Sequence, residues 1–232
     1  LTEQKATAHR KTDTPRIAAT SGKSPTIRRP AQDRVISNFI HYSQPADNNK
    51  AAIRAQLALL FQVPARILEI GSGSGQHAVY MASGLPHLDW QPSDRGEYYE
   101  GLVENIRQLA PANVRPPLYL DVTETEFPPA DHIYLANVLH IMPEINLPLL
   151  FRGAARTLPT GGKLCIYGPF TYGGAFTTQS NSAFDAWLKA RNALSGIRAV
   201  ETLQTLAQEQ GFTLLSDTDM PANNQLLVFG KG

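Results

Sequence analysis

The chain has 232 residues, 42% of them hydrophobic, a single cysteine and a formal net charge of +1. That length suits one α/β domain able to bury a core without staples, and the lone Cys165 excludes an intrachain disulfide and fits a reducing, cytoplasmic setting. No run approaches the ~18 apolar residues needed to cross a bilayer, and no hydrophobic signal-peptide core is visible near the start, so a membrane partner is not expected.

Residues 1–34 hold eight Lys or Arg against three acids, a charge of +5 that leaves −4 for the remainder. A mildly acidic body argues against broad nucleic-acid binding. The first 34 residues lack aromatics and are rich in Thr, Ser, Ala, Pro and bases. Such a stretch buries too little to offset its ordering entropy, and it reads as a disordered basic tail. An organelle-targeting peptide fits less well, because Glu3 and Asp13 interrupt the basic run. Residues 35–232 are expected to form the folded domain.

From Asn48 to Phe61 the apolar spacing predicts a helix, with Ile53, Leu57, Leu60 and Phe61 on one face and Pro64 ending it. Strands and helices then alternate: a strand over Arg66–Ile70, a helix over Gln76–Leu85, a strand over Leu88–Gln91. A helix over Glu97–Ala110 has Leu102, Val103, Ile106 and Leu109 inward. Further strands are expected at Leu118–Leu120, His132–Ala136 and Lys163–Tyr167, with a helix over Asn146–Leu158. The pattern predicts an α/β doubly wound, mostly parallel sheet covered on both faces. The end differs: a helix over Val200–Gln210 stopped by Gly211, then two strands, Phe212–Ser216 and Leu226–Phe229, reading as an antiparallel pair at the sheet edge.

The first strand runs into Gly71-Ser72-Gly73-Ser74-Gly75 and then a helix. Glycines there let the backbone turn sharply and approach a ligand facing the helix N-terminus. Gln76 stands where a dinucleotide fingerprint places its third glycine. Glu69 would repel a pyrophosphate and favour the ammonium and sulfonium of S-adenosylmethionine. Asp94 follows Gly73 by 21 residues, placed to bond ribose hydroxyls at the end of the second strand. No Gly-Lys-Ser/Thr follows, so a Walker A loop fails, and neither loop serine is flanked as a hydrolase nucleophile elbow requires. A nicotinamide cofactor and a ligand-free turn remain as alternatives. Asp121 closes the third strand, where it could accept from an adenine amine or simply serve as a helix N-cap.

These residues carry a wider resemblance. The chain resembles the methyltransferase-like 26 group, uncharacterised proteins of the class I methyltransferase fold, from about Asp33 to Lys231. The matching motifs include Asn49-Lys50, Leu68-Glu69-Ile70-Gly71-Ser72-Gly73-Ser74-Gly75-Gln76-His77, Trp90-Gln91-Pro92-Ser93-Asp94, Leu120-Asp121-Val122-Thr123, Tyr167-Gly168-Pro169-Phe170, Gly196-Ile197-Arg198 and Met220-Pro221-Ala222-Asn223-Asn224. The resemblance implies a seven-stranded sheet, with S-adenosylmethionine at the carboxyl ends of its first strands. Asn49, Lys50, Glu69, Gly71, Ser72, Gly73, Gly75, His77, Asp94, Asp121, Val122 and Asn137 are the cofactor-side candidates. It supplies no substrate. Where the group tends to read Asn-Met-Ile/Ala-His after the fourth strand, this chain has Asn137-Val138-Leu139-His140; Gly71 stands where Ala is frequent, a change expected to be harmless in a tight turn.

Methyl transfer needs an aligned nucleophile and, for some acceptors, a base. His140, just after the fourth strand, is the candidate general base, and the Tyr167 hydroxyl could orient a substrate; each is equally readable as a packed structural residue. Asn181, Asp185, Asn223 and Asn224 fall in the late segment that usually walls an acceptor pocket, although such amides also bond turn backbone. No Cys/His cluster has metal-ligand spacing, and no basic stretch interleaves aromatics. By elimination the acceptor is a small molecule. A nicotinamide-dependent oxidoreductase and a non-catalytic S-adenosylmethionine-binding protein are the competing readings.

Overall fold

Short apolar runs broken by helical periods fold as the alternation demands. The computed structural model describes residues 38–123 and 126–232; the disordered tail expected over residues 1–34 lies outside the described residues. Helix α1 (Gln44–Leu60) starts at Ser43, whose Oγ accepts from Ala46 N–H at 3.3 Å, with Pro45 in its first turn. It is followed by β1 (Ala65–Ile70), α2 (Gln76–Gly84), β2 (Leu88–Asp94), α3 (Tyr98–Leu109), β3 (Leu118–Tyr119), β4 (His132–Ala136), α4 (Leu147–Thr157) and β5 (Lys163–Gly168). The remaining elements are β6 (Phe170–Tyr172), β7 (Ala175–Phe176), α5 (Gln179–Arg191), β8 (Arg198–Ala199), α6 (Val200–Glu209), β9 (Phe212–Met220) and β10 (Asn224–Lys231).

The main sheet has the order β3-β2-β1-β4-β5-β10-β9. The first five strands are parallel, and β10 runs antiparallel to both β5 and β9. This is the expected doubly wound sheet with an antiparallel pair at its C-terminal end. Strand order reverses between β1 and β4, and a ligand crevice opens at the carboxyl ends of strands on either side of such a switch.

Successive strand residues face opposite layers. Leu68, Ile133, Ile166 and Leu227 meet α4 and α6 through Leu150, Phe151 and Leu203. Ile67, Tyr134, Cys165 and Val228 meet α1, α2 and α3 through Ile53, Met81 and Leu102. All of these side chains are buried, and each such burial stabilises by roughly 1.5–3 kcal/mol before entropy is counted.

The structure departs from expectation in places. Val103 is exposed, not inward, because α3 turns Gly101, Leu102, Asn105 and Ile106 toward the sheet. Strand β2 extends three residues further, carrying Asp94 to its very end, while β3 pairs over two residues only. A second sheet, β7-β6-β8, and helix α5 have no counterpart in the sequence reading.

Candidate functional site

The glycine loop leaves β1 through three residues in the left-handed region, with φ of +75° at Gly71, +55° at Gly73 and +79° at Gly75, a conformation most side chains resist. It is tied to the end of β2. The N–H groups of Gly71 and Ser72 donate to the Ser93 carbonyl at 3.0 and 2.9 Å, and Ser72 Oγ accepts from Ser93 N–H at 3.1 Å. Asp94 completes the tie: one carboxylate oxygen accepts from Gly73 N–H at 2.6 Å, the other from Arg95 N–H at 2.7 Å. Burial raises the pKa of Asp94, and these two N–H donors act against that rise. A Cβ placed on Gly73 would meet nothing within 4 Å, so the space in front of it is open. At Gly71 a Cβ would lie 2.5 Å from Val138 Cγ2, so the glycine suits this position and an alanine would be crowded.

That space is a cavity of about 660 Å³ at the switch between β1 and β4. Gly71, Ser72, Gly73, Asp94, Val122 and Asn137 line it, with His77 at the base. Asn137 takes φ +60° and donates its N–H to the Tyr167 carbonyl at 2.9 Å. Across from the loop, His41–Ala46 form one wall and Val138, Ile141, Met142 and Asn146 another.

The wall before α1 is a strap held by two amide side chains that sequence reasoning missed. Gln76 Oε1 accepts from Ser43 N–H at 2.6 Å while its Nε2 donates to the Ser43 carbonyl at 3.2 Å. Asn105 treats Ile40 the same way, accepting from its N–H and donating to its carbonyl at 2.9 Å each, and also donates to the Ser74 carbonyl. Each amide imitates one rung of a β-ladder. Gly101 permits the close approach, since a Cβ there would lie 2.9 Å from the His41 ring. The available signal was Gln76 at the third-glycine position and Asn105 on the inward face of α3.

Behind the loop lies a buried polar chain. Glu69 accepts from Trp90 Nε1–H at 2.8 Å. Burial pushes its carboxyl up to about 7, with the Trp90 and Ser72 bonds opposing that rise. His77 is driven down to about 4 by burial and is therefore neutral near pH 7. Its Nε2 lies 2.7 Å from Asn49 Oδ1 and 3.2 Å from the Ala46 carbonyl, so that nitrogen carries the proton. Its Nδ1 then accepts from the Tyr134 hydroxyl at 3.2 Å.

Other sequence candidates stand off the cavity lining. Gly75 is the N-cap of α2, where a Cβ would press on Leu102 and Ile106 of α3. Asn49 and Glu69 reach the cavity only through His77 and the loop, and Lys50 pairs with Asp47 beside the Tyr80 ring. Asp121 closes a turn, accepting from Thr123 N–H and Oγ1–H at 2.9 and 2.8 Å, and pairs with Arg95 at 2.8 Å. His140 is buried, packed edge-on against Phe184, and lowered to about 4 by burial and by Arg198. Tyr167 is buried under α1; its hydroxyl has no hydrogen-bond partner among the described residues. Burial raises its pKa.

The four late residues hold structure together. Asn181 Nδ2 donates to the Asn223 carbonyl at 3.0 Å, and Asn223 Nδ2 to Ser180 Oγ at 3.2 Å, pinning α5 to the β9–β10 turn. Asn224 Nδ2 donates to carbonyls of that same turn. Asp185 accepts from Lys189 and from Ile197 N–H at 2.6 and 2.8 Å. Arg198, another missed residue, is buried behind the cavity wall and donates to the carbonyls of Leu139, Met142 and Leu194. Among the described residues, no three His, Cys, Asp or Glu side chains gather to hold a metal, and no helix is long and apolar enough to cross a membrane.

The strand order, the antiparallel closing pair and a glycine loop at the switch define a class I methyltransferase fold. Residues 40–231 match the family described as "Protein of unknown function (DUF938)", and the chain belongs to that family. Solved structures share the fold at low identity. An O-methyltransferase family 2 protein from Planctomyces limnophilus, in complex with apigenin, gives a TM-score of 0.73 at 19% identity over 89% of this chain and 63% of that one. Human N-acetylserotonin methyltransferase in complex with SAM gives 0.68 at 17% identity over 82% of this chain and 53% of that one. CalO1, a methyltransferase in calicheamicin biosynthesis in its SAH-bound form, gives 0.62 at 16% identity over 85% and 63%. The chain therefore spans between 53% and 63% of the length of these structures.

Proposed function

We propose that residues 35–232 form one unit that binds S-adenosylmethionine in the 660 Å³ cavity and transfers its methyl group to a small-molecule acceptor. The observation that carries this reading is the pairing of an open, left-handed glycine loop with the Asp94 carboxylate on one cavity at the sheet's switch point. Three structures of the same fold support it, two bound to SAM or SAH and one to the small molecule apigenin. So does the resemblance to the methyltransferase-like 26 group.

The residues present fit the cofactor. Open space at Gly73 admits a ligand against the backbone. The free lone pairs of Asp94 suit ribose hydroxyls. Glu69 sets a carboxyl behind the loop, which disfavours a pyrophosphate and favours a cationic ligand. Val122 and Leu120 give an apolar slot beside Asp94 for the adenine, and Asn137 offers an amide from the end of β4. When bound, the cofactor would supply an electrophilic sulfonium methyl: an acceptor lone pair would form the new bond to that carbon, the C–S pair would leave with S-adenosylhomocysteine, and the acceptor's proton, where it has one, would pass to a base or to water. This chain's part is to hold and orient the reacting groups and to screen them from water behind the strap.

A second reading, a cofactor-binding protein without transfer, draws on one observation: His140 and Tyr167 do not line the cavity. Calorimetry with S-adenosylmethionine and NAD side by side tests the cofactor, and tight binding of NAD alone sinks the proposal. Incubation of lysate with methyl-labelled cofactor then separates transfer, which labels an acceptor, from binding alone. A cytoplasmic location belongs to the same proposal and is checked by fractionation.

A further inference from the structure

The two walls of the cavity that face the glycine loop carry a one-sided chemistry. We propose that the space between Tyr42 on the strap, Tyr98 on α3 and Ile141 after β4 receives an uncharged aromatic acceptor; this rests on reading the rest of the cavity as the cofactor site. The walls formed by His41–Ala46 and by Val138–Asn146 contribute no Asp, Glu, Lys or Arg to the lining. Among the described residues, the charged side chains that line the cavity are Asp94, which the cofactor reading assigns to the ribose, and Arg95 next to it, which pairs with Asp121 at 2.8 Å. An acceptor carrying a carboxylate, phosphate or ammonium would meet no Asp, Glu, Lys or Arg on these two walls to pair with, which is costly once the charge is desolvated.

The mouth supplies the positive half of the argument. Tyr42, Tyr98 and Ile141 line the cavity yet stay 38, 42 and 54% exposed. Large apolar side chains left in water around a concave site gain by being covered. Two tyrosine rings face a planar ligand better than an aliphatic one, because ring faces and edges attract each other beyond simple area burial. The His41 ring already packs edge-on to Tyr98 at 5.3 Å between centroids, so the Tyr98 ring is held in place. Asn137 and Asn146 add neutral donors and acceptors for a hydroxyl or ring nitrogen. A nucleic acid is disfavoured by the same count, since among the described residues Arg95 alone brings a guanidinium to the lining and it is paired with Asp121.

The test uses the full chain saturated with S-adenosylhomocysteine, titrated calorimetrically with 2-naphthol, with 6-hydroxy-2-naphthoate, with 6-(aminomethyl)-2-naphthol and with a short oligoribonucleotide. The expected result is binding of 2-naphthol, with each charged probe weaker by about tenfold or more. Tyr42→Ala and Ile141→Ser should weaken 2-naphthol at least about fivefold more than they weaken S-adenosylhomocysteine. A charged probe or the oligonucleotide binding as tightly as 2-naphthol overturns the inference, as does 2-naphthol failing to bind the loaded protein or binding both variants undiminished. If S-adenosylhomocysteine itself does not bind, the cofactor reading falls and this inference with it; if it binds and 2-naphthol does not, only the inference falls.

Discussion

Gly71 and Val138 compete for one space: the missing Cβ of the first would sit 2.5 Å from Cγ2 of the second. With φ at +75°, alanine at 71 is strained by its backbone as well as by that contact. Gly71→Ala should lower stability by about 2–3 kcal/mol, the sum of a left-handed alanine and an overpacked contact. In the Gly71→Ala/Val138→Ala pair the two costs should fall short of their sum by about 1 kcal/mol, read from urea unfolding in a double-mutant cycle. Strict additivity would show that the contact is of no consequence.

Asp94 does two things at once, fixing Gly73 N–H and presenting oxygens to the cavity. Asp94→Asn should weaken S-adenosylhomocysteine by roughly 1–3 kcal/mol, through loss of charge-assisted bonding. Calorimetry measures it, and unchanged affinity would place the ribose elsewhere.

The strap depends on Gln76 and Asn105. Asn105→Leu strands both backbone groups of Ile40, and Gln76→Leu strands the N–H of Ser43, whose carbonyl keeps the Asp47 N–H at 3.1 Å. Each should cost about 1–3 kcal/mol. The diagnostic readout is hydrogen exchange: the N–H of Ile40 should lose protection in the first variant and that of Ser43 in the second, with β4 and β5 unaffected. Equal protection in variant and parent would mean that packing alone holds the strap.

Glu69 should make stability depend on pH in a direction opposite to most carboxylates. Its folded pKa is raised by burial to about 7, so on acidification the folded chain takes the proton before the unfolded chain does. Its destabilising effect is complete above pH 7 and fades as pH falls toward the ordinary carboxyl range. His77, His132 and His140, each lowered by burial to about 4, work the other way: stability drains as pH falls from the normal histidine range toward 4. Glu69→Gln should therefore be more favourable relative to the parent at pH 8 than at pH 5 by about 2–3 kcal/mol. Unfolding midpoints at the two pH values decide it, and a pH-independent difference would show that Glu69 is not protonated in this window.

Much of the fold was legible because parallel strands buried on both faces read as apolar runs, and β1, β4 and β5 are such runs. Helix α5 was not, because its buried positions include Asn181 and Asp185, which hide the apolar period. Strands β6–β8 are two or three residues long, too short to carry an alternation. Glycine loop and Asp94 were readable as a local motif at a fixed spacing. The strap was not: the bonds to Asn105 span 65 residues and those to Gln76 span 33, and nothing local encodes them. For the same reason His140 drew attention by its residue type, while the Phe184 and Arg198 groups that enclose it come from far along the chain.

Arg198 has a consequence for how this site can change. Its guanidinium grips the carbonyls of Leu139 and Met142 from behind, so the course of the wall is fixed by a residue that contributes nothing to the cavity lining. The side chain of Ile141, more than half exposed, is left as an interchangeable tile on a rigid backing, whereas Val138 is held between Gly71 and the core. Substitutions at Ile141 can reshape what the wall accepts while the backbone, the glycine loop and the sheet stay as they are.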